Sequence, residues 1–263
     1  MTQPVVQLRR RGFGETMRRD AWWLTPLGVF VVLSSFLAYA TWAAFQNANY
    51  EFGNYLSPFY SPLLFGDSHH AWFARGPRWL PAISPALLIL PFPAGFRFTC
   101  YYYRGAYYKA FWADPPSCAV GEPRKSYLGE RTLPLVLQNV HRYFLYAAVL
   151  FLGILAYDAW KAYWFVDAAG VSRFGIGVGS LVLTTNVVLL GGYTLGCHSL
   201  RHLVGGYLDR FAGRPVRRTA YDCVTCLNRG HMNWAWASLF WVAFSDIYVR
   251  MCAMGVWHDW RLL

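Results

Sequence analysis

Several apolar runs of this chain are longer than about 18 residues, the length an α-helix needs to cross a hydrocarbon core about 30 Å thick. Composition agrees with them. Of the 263 residues 56% are hydrophobic, 19% aromatic and only 14% charged, which is too little polar surface to cover a soluble globule of this size. The formal charge of +11 does not point to nucleic acid, because the bases lie in segments between apolar runs, without base-reading motifs beside them. Retention of positive charge on one side of a membrane explains the pattern more simply.

The runs predict an all-α integral membrane protein, a five-transmembrane-helix bundle with a cytoplasmic N-terminus. Spans are expected at about 24–45, 80–103, 133–156, 176–197 and 233–256 of a single membrane domain covering 1–263, and residues 1–20 form a basic cytoplasmic tail. The tail and the segments after the second and fourth spans hold sixteen of the 24 Lys and Arg. The opposite side, counted from Arg250 onward at the C-terminal end, holds six, and Arg97 and Arg142 lie inside spans. That bias sets the orientation, in a bacterial cytoplasmic (inner) membrane with lipid as the surrounding solvent. The first run follows Arg9, Arg10, Arg11, Arg18 and Arg19 and lacks a small-residue cleavage site, so it is expected to remain as a span.

The second span contains Pro81, Pro85, Pro91 and Pro93 and is expected to be bent or locally unwound. It leads into Phe96–Cys118, FRFTCYYYRGAYYKAFWADPPSC, which reads as an aromatic, basic shelf at the membrane surface between two cysteines.

Sorting imidazoles and thiols by this topology is informative. His141, His198, His202 and His231 fall near the cytoplasmic ends of spans, with Cys100, Cys118 and Cys197 at a similar level, whereas His69, His70 and His258 lie in outer loops or the tail. A single interfacial His or membrane Cys is commonly a packing residue. A cluster at one depth, where ionisable groups are costly, points to a metal or redox centre. Two stacked haems would need four opposed histidines, and the outer half offers none in its spans. One bis-histidine haem b between His141 and His198 remains open, as does a Rieske [2Fe–2S] centre, whose irons take two thiolates and two imidazoles. The usual two-box signature of a soluble Rieske domain is missing.

Cys223 and Cys226 form a C-x-x-C without a second ligand pair at zinc-finger spacing, and reduced loop thiols are the favoured reading. Asp246, within the fifth span, either serves a proton path or pairs with a neighbour such as Arg250; pairing is favoured. No nucleotide-binding glycine motif is present, and no inverted repeat of the transporter kind.

FRFTCYYYRGAYYKAFW, PPSCAV, QNVHRYF, GCHSLRH and HMNWAWASL together resemble the cytochrome b-like membrane anchor of bacterial succinate dehydrogenase, respiratory complex II, of the single-anchor, five-span group called type F. The resemblance implies a membrane-anchor protein that docks a flavoprotein and an iron–sulfur protein on its cytoplasmic face and passes electrons to a quinone, menaquinone or ubiquinone, with no flavin site of its own. It also implies a Rieske-type [2Fe–2S] cluster in place of haem. On that footing Cys100 and Cys118 are the expected thiolates and His141 and His198 the expected imidazoles, with Cys197, His202 and His231 in reserve. Arg97, Tyr101, Tyr102 and Arg104 are the expected quinone contacts, and Cys223 and Cys226 have no place in the pattern. The other classes are a haem b anchor and a transporter or assembly protein without a redox centre.

Overall fold

The computed structural model describes residues 12–74, 83–124, 132–133, 135–166, 170–206, 210 and 213–263. Arg9, Arg10 and Arg11 of the basic tail, Arg75, Arg78, Lys125 and Arg131, and the expected start of the second span at Leu80 and Pro81 lie outside the described residues. The chain forms two compact units, one of Met1–Ala38 with Phe98–Asn139 and one of Tyr39–Arg97 with Val140–Leu263.

Helix α1, Leu24–Gln46, has 23 residues, buries Ala43 and Ala44, and presents Leu27, Phe30, Leu37 and Phe45 outward. In water that face would need a partner. In lipid it needs none, because acyl chains are as apolar as leucine. Among the described residues, three helices are long and apolar enough to cross a membrane: Leu24–Gln46, Val136–Lys161 and Val178–Leu195.

The prolines of the expected second span have a larger effect than a bend. Each removes a backbone donor and crowds the preceding turn. The described part of the segment is divided into α2 (Pro85–Ile89) and α3 (Pro91–Phe98), with Pro91 at their junction, and α4 (Tyr101–Tyr107), the last running into a π-helical turn at Tyr108–Trp112. Cys100 is the break before α4, with an extended backbone at φ −64° and ψ 129°.

In the first unit the N-terminal segment is stitched to the loop that follows the π turn. Gly14 N–H donates to Gly121 O at 2.9 Å, Gly121 N–H to Glu15 O at 3.0 Å, and Thr16 Oγ1 to Ala119 O at 3.0 Å. Arg18 adds bonds to Ser117 Oγ (2.8 Å) and to the Cys118 carbonyl (3.0 Å).

The second unit is built on α5 (His141–Lys161), α6 (Val178–Leu195) and α9 (His231–Ala253). A 3-10 turn at Leu135–Val140 leads into α5. The strand pairs β1–β2 (Glu51–Phe52, Tyr55–Leu56) and β3–β4 (Trp164–Val166, Ser172–Phe174) are short hairpins. Tyr55 packs with Ala159, Ala162, Leu183 and Val249, which joins the late part of α5 to the early part of α6. Glycine sets two close approaches: a Cβ on Gly192 of α6 would lie 2.5 Å from the Trp234 ring of α9, and one on Gly95 of α3 would lie 2.4 Å from Phe144 of α5. At those points only a hydrogen side chain fits.

The region expected as a basic loop after span four is instead two further helices, α7 (His198–Gly205) and α8 (Pro215–Arg229). Pro215 occupies the first turn of α8, where a missing N–H costs nothing. Cys223 and Cys226 are thus exposed thiols on a helix and not in a loop.

Candidate functional site

Because α5 is antiparallel to α6, and α6 to α9, the start of α5, the end of α6 and the start of α9 meet at one end of the second unit. Sequence separation hides this; hydrogen bonding shows it. His141 Nε2 lies 3.1 Å from Cys197 Sγ, across 56 residues of chain, and both side chains are buried. Phe96 stacks on the His141 ring at 4.7 Å and nearly parallel (8°), and His141 also bonds the Phe96 backbone. Tyr193 stands edge-on to Phe96 and stacks on His231 at 5.0 Å. His141, His231 and His198 are near enough to act on one another electrostatically, His231 being felt by His141 and His198 by His231.

Arg97 locks the cluster from α3. Its guanidinium donates to Ala235 O (3.1 Å) and Ser238 Oγ (2.9 Å) of α9 and lies 4.7 Å from the Tyr193 ring centre. Cys197 begins α7 with an extended backbone, φ −66° and ψ 139°. Beyond it, exposed His198 and His202 pair through their Nε2 atoms at 2.9 Å. Partial burial, then His202 and Arg201, hold the His198 imidazole below its ordinary pKa.

Of the expected ligands, then, His141 has the reserve Cys197 against it and the reserve His231 close by, with His198 and His202 toward the surface. Cys100 and Cys118 belong to the first unit, where Cys100 is buried and Cys118 is exposed. Of the expected quinone contacts, Tyr101 and Arg104 line a cavity of about 330 Å³ in the first unit with Tyr108, Lys109, Asp114 and Arg124. Arg104 lies over the Tyr101 ring at 4.9 Å and the Tyr108 ring at 5.7 Å, and Arg124 pairs with Asp114 at 3.0 Å. Tyr102 does not line this cavity, and Arg97 belongs to the second unit. Tyr108, Lys109 and Arg124 were not expected there from the sequence, although the four-residue spacing of Arg104 and Tyr108 on one helical face was there to be read.

A family model described as actinobacterial succinate dehydrogenase subunit SdhC matches residues 24–255. The chain belongs to that family. A chain of a solved structure described as the Mycobacterium smegmatis Sdh1 complex in the apo form is 42% identical to it, with a TM-score of 0.84 and 100% of each chain covered. None of the curated proteins compared matches it. The protein is thus a membrane-anchor subunit of a succinate dehydrogenase, respiratory complex II, and works with catalytic partner subunits. The apolar helices are what fits an SdhC-family chain to that anchoring role.

Proposed function

We propose that this SdhC-family anchor carries a Rieske-type [2Fe–2S] centre and delivers electrons from succinate oxidation to a quinone. The observation that carries the reading is the buried contact of His141 Nε2 with Cys197 Sγ. An imidazole and a thiol converging where water is excluded form half of the ligand set such a centre requires, and the backbone bond of His141 orients its ring as a ligating histidine requires. The contact supports Cys197 as a thiolate ahead of the exposed Cys118. The second imidazole falls to His198, His231 or His202 of the same unit. Bound there, the centre would accept and release single electrons at a potential raised by its neutral ligands.

The chain's own residues do the rest. Phe96, Tyr193 and Arg97 hold the His141–Cys197 end rigid and dry. The cavity bearing Tyr101 and Arg104 has the volume of a small-ligand site. A phenol hydroxyl and a guanidinium there would donate to a quinone carbonyl and stabilise negative charge as it develops, with protons drawn from the adjacent water. A flavoprotein and an iron–sulfur protein are the catalytic partners in this reading, docked on the cytoplasmic face of a bundle with five spans and an inside N-terminus.

Cys197→Ser and His141→Ala in the assembled complex test it. Quinone reduction should fall more than tenfold and the paramagnetic resonance signal of the reduced Rieske-type centre should vanish, while succinate oxidation with a soluble acceptor and subunit stoichiometry persist. An unchanged signal in both variants would refute the ligand assignment.

A further inference from the structure

The loop between α1 and α2 carries a second collection of metal-ligating groups, at the end of the second unit remote from His141. Glu51 of β1, His69 and His70 each bring a donor atom to one place, the three lying within 4.8 Å of one another. Position follows from folding: the β1–β2 hairpin packs through Tyr55 against Ala159 and Ala162, at and just past the C-terminal end of α5, and the turn at residues 66–70 returns to the hairpin. His70 Nε2 sits 3.2 Å from Gly53 O, and a ring nitrogen facing a carbonyl carries the proton. Its other nitrogen, Nδ1, is left as a lone-pair atom. Among the described residues that atom is buried without a hydrogen-bond partner, on a residue only 4% exposed. A buried polar atom with no partner calls for an explanation, and an ion is one of the few available. The Gly53 carbonyl also fixes tautomer and ring orientation, as outer-shell partners of metal-bound histidines do. Ser68 performs the same service for Glu51, donating its hydroxyl to Glu51 Oε2 and accepting the His70 N–H at 3.1 Å.

We propose that Glu51, His69 and His70 form a divalent-cation site of the zinc class that clips the β1–β2 hairpin to the turn at residues 66–70. Two imidazoles and one carboxylate suit zinc and disfavour magnesium or calcium, which take oxygen ligands. Donors around a tetrahedral ion at about 2.0–2.1 Å lie roughly 3.4 Å apart, so closure needs a modest inward movement. Exposed His69, whose ring lies 4.0 Å from that of His70, can supply it without disturbing the buried side. Three protein ligands leave the fourth place to water.

The test uses the purified complex, treated with a chelator and then equilibrated with zinc chloride alone. Wild type should retain about one zinc per chain after gel filtration, and His69→Ala and Glu51→Gln should each weaken zinc binding by at least about tenfold. Both substitutions lie on the accessible side, and unchanged iron and flavin contents verify that the variant complexes are intact. X-ray absorption at the zinc edge should show nitrogen and oxygen ligands without sulfur. Zinc contents equal in wild type and both variants, or no zinc retained by wild type, would overturn the proposal. Its outcome is independent of the iron centre, whose candidate thiols are elsewhere in the chain.

Discussion

Asp246 and Arg250 form a buried ion pair on α9, with Arg250 Nε 2.7 Å from Asp246 Oδ2 and the side chains 0% and 3% exposed. The pair is fully satisfied. Ser57 and Tyr39 donate to Asp246, while Arg250 Nη1 and Nη2 reach Ala48 O and Ala43 O at 2.8 and 3.0 Å. A proton path needs a group free to exchange with water; this one is enclosed by the loop after α1, and pairing is its role. Arg250→Ala should strand a buried carboxylate and cost about 3–5 kcal/mol, seen as a lower unfolding temperature of the purified complex. Replacing both residues by apolar ones of similar volume should recover part of the loss, and an unchanged unfolding temperature in Arg250→Ala would contradict this account. The i,i+4 spacing of the two charges was visible in the sequence. What could not be read there was their burial, because Tyr39 and Ser57 come from 207 and 189 residues away.

At the scale of elements, helix identity followed where one run of side chains decided it. Leu24–Gln46 and His141–Lys161 are continuous apolar helices, and the expected spans at 24–45 and 133–156 fall largely on them. The described part of the second span did not form one element: Pro91 stands at the junction of α2 and α3, and the chain breaks again at Thr99–Cys100 before α4, where there is no proline. The α7–α8 pair was missed for the opposite reason: its arginines look like a solvated loop, yet Arg217 caps carbonyls at Val204 and Gly206 and Arg201 bonds Thr225. Close helix approach is equally testable. Gly192→Ala should drive a methyl group into Trp234 and destabilise the α6–α9 contact by about 1–3 kcal/mol, measured by thermal unfolding. Adding Trp234→Ala should relieve the crowding; if the double variant is no better than the single, the contact is not what Gly192 serves.

At the scale of the whole molecule, orientation is the property that charge controls. The proposed five spans and cytoplasmic N-terminus would put the α7–α8 segment on the cytoplasmic side, so a membrane-impermeant maleimide should label exposed Cys223 and Cys226 in everted vesicles only. Labelling in right-side-out vesicles would reverse the topology. Buried Cys100, Cys197 and Cys252 should stay unlabelled in both. The sequence by itself determined the membrane class, the helical character and the family, because apolar length, charge bias and local motifs are properties of contiguous residues. It also pointed to His141, Cys197 and His231 as candidates for one site. Only the tertiary structure decided that Cys197 is the thiol against His141, that Phe96 and Arg97 serve that end of the unit, and that Glu51 meets His69 and His70. Each of those is a pairing between segments far apart in the chain, and such pairings follow from antiparallel helix packing and loop return, which no local pattern encodes.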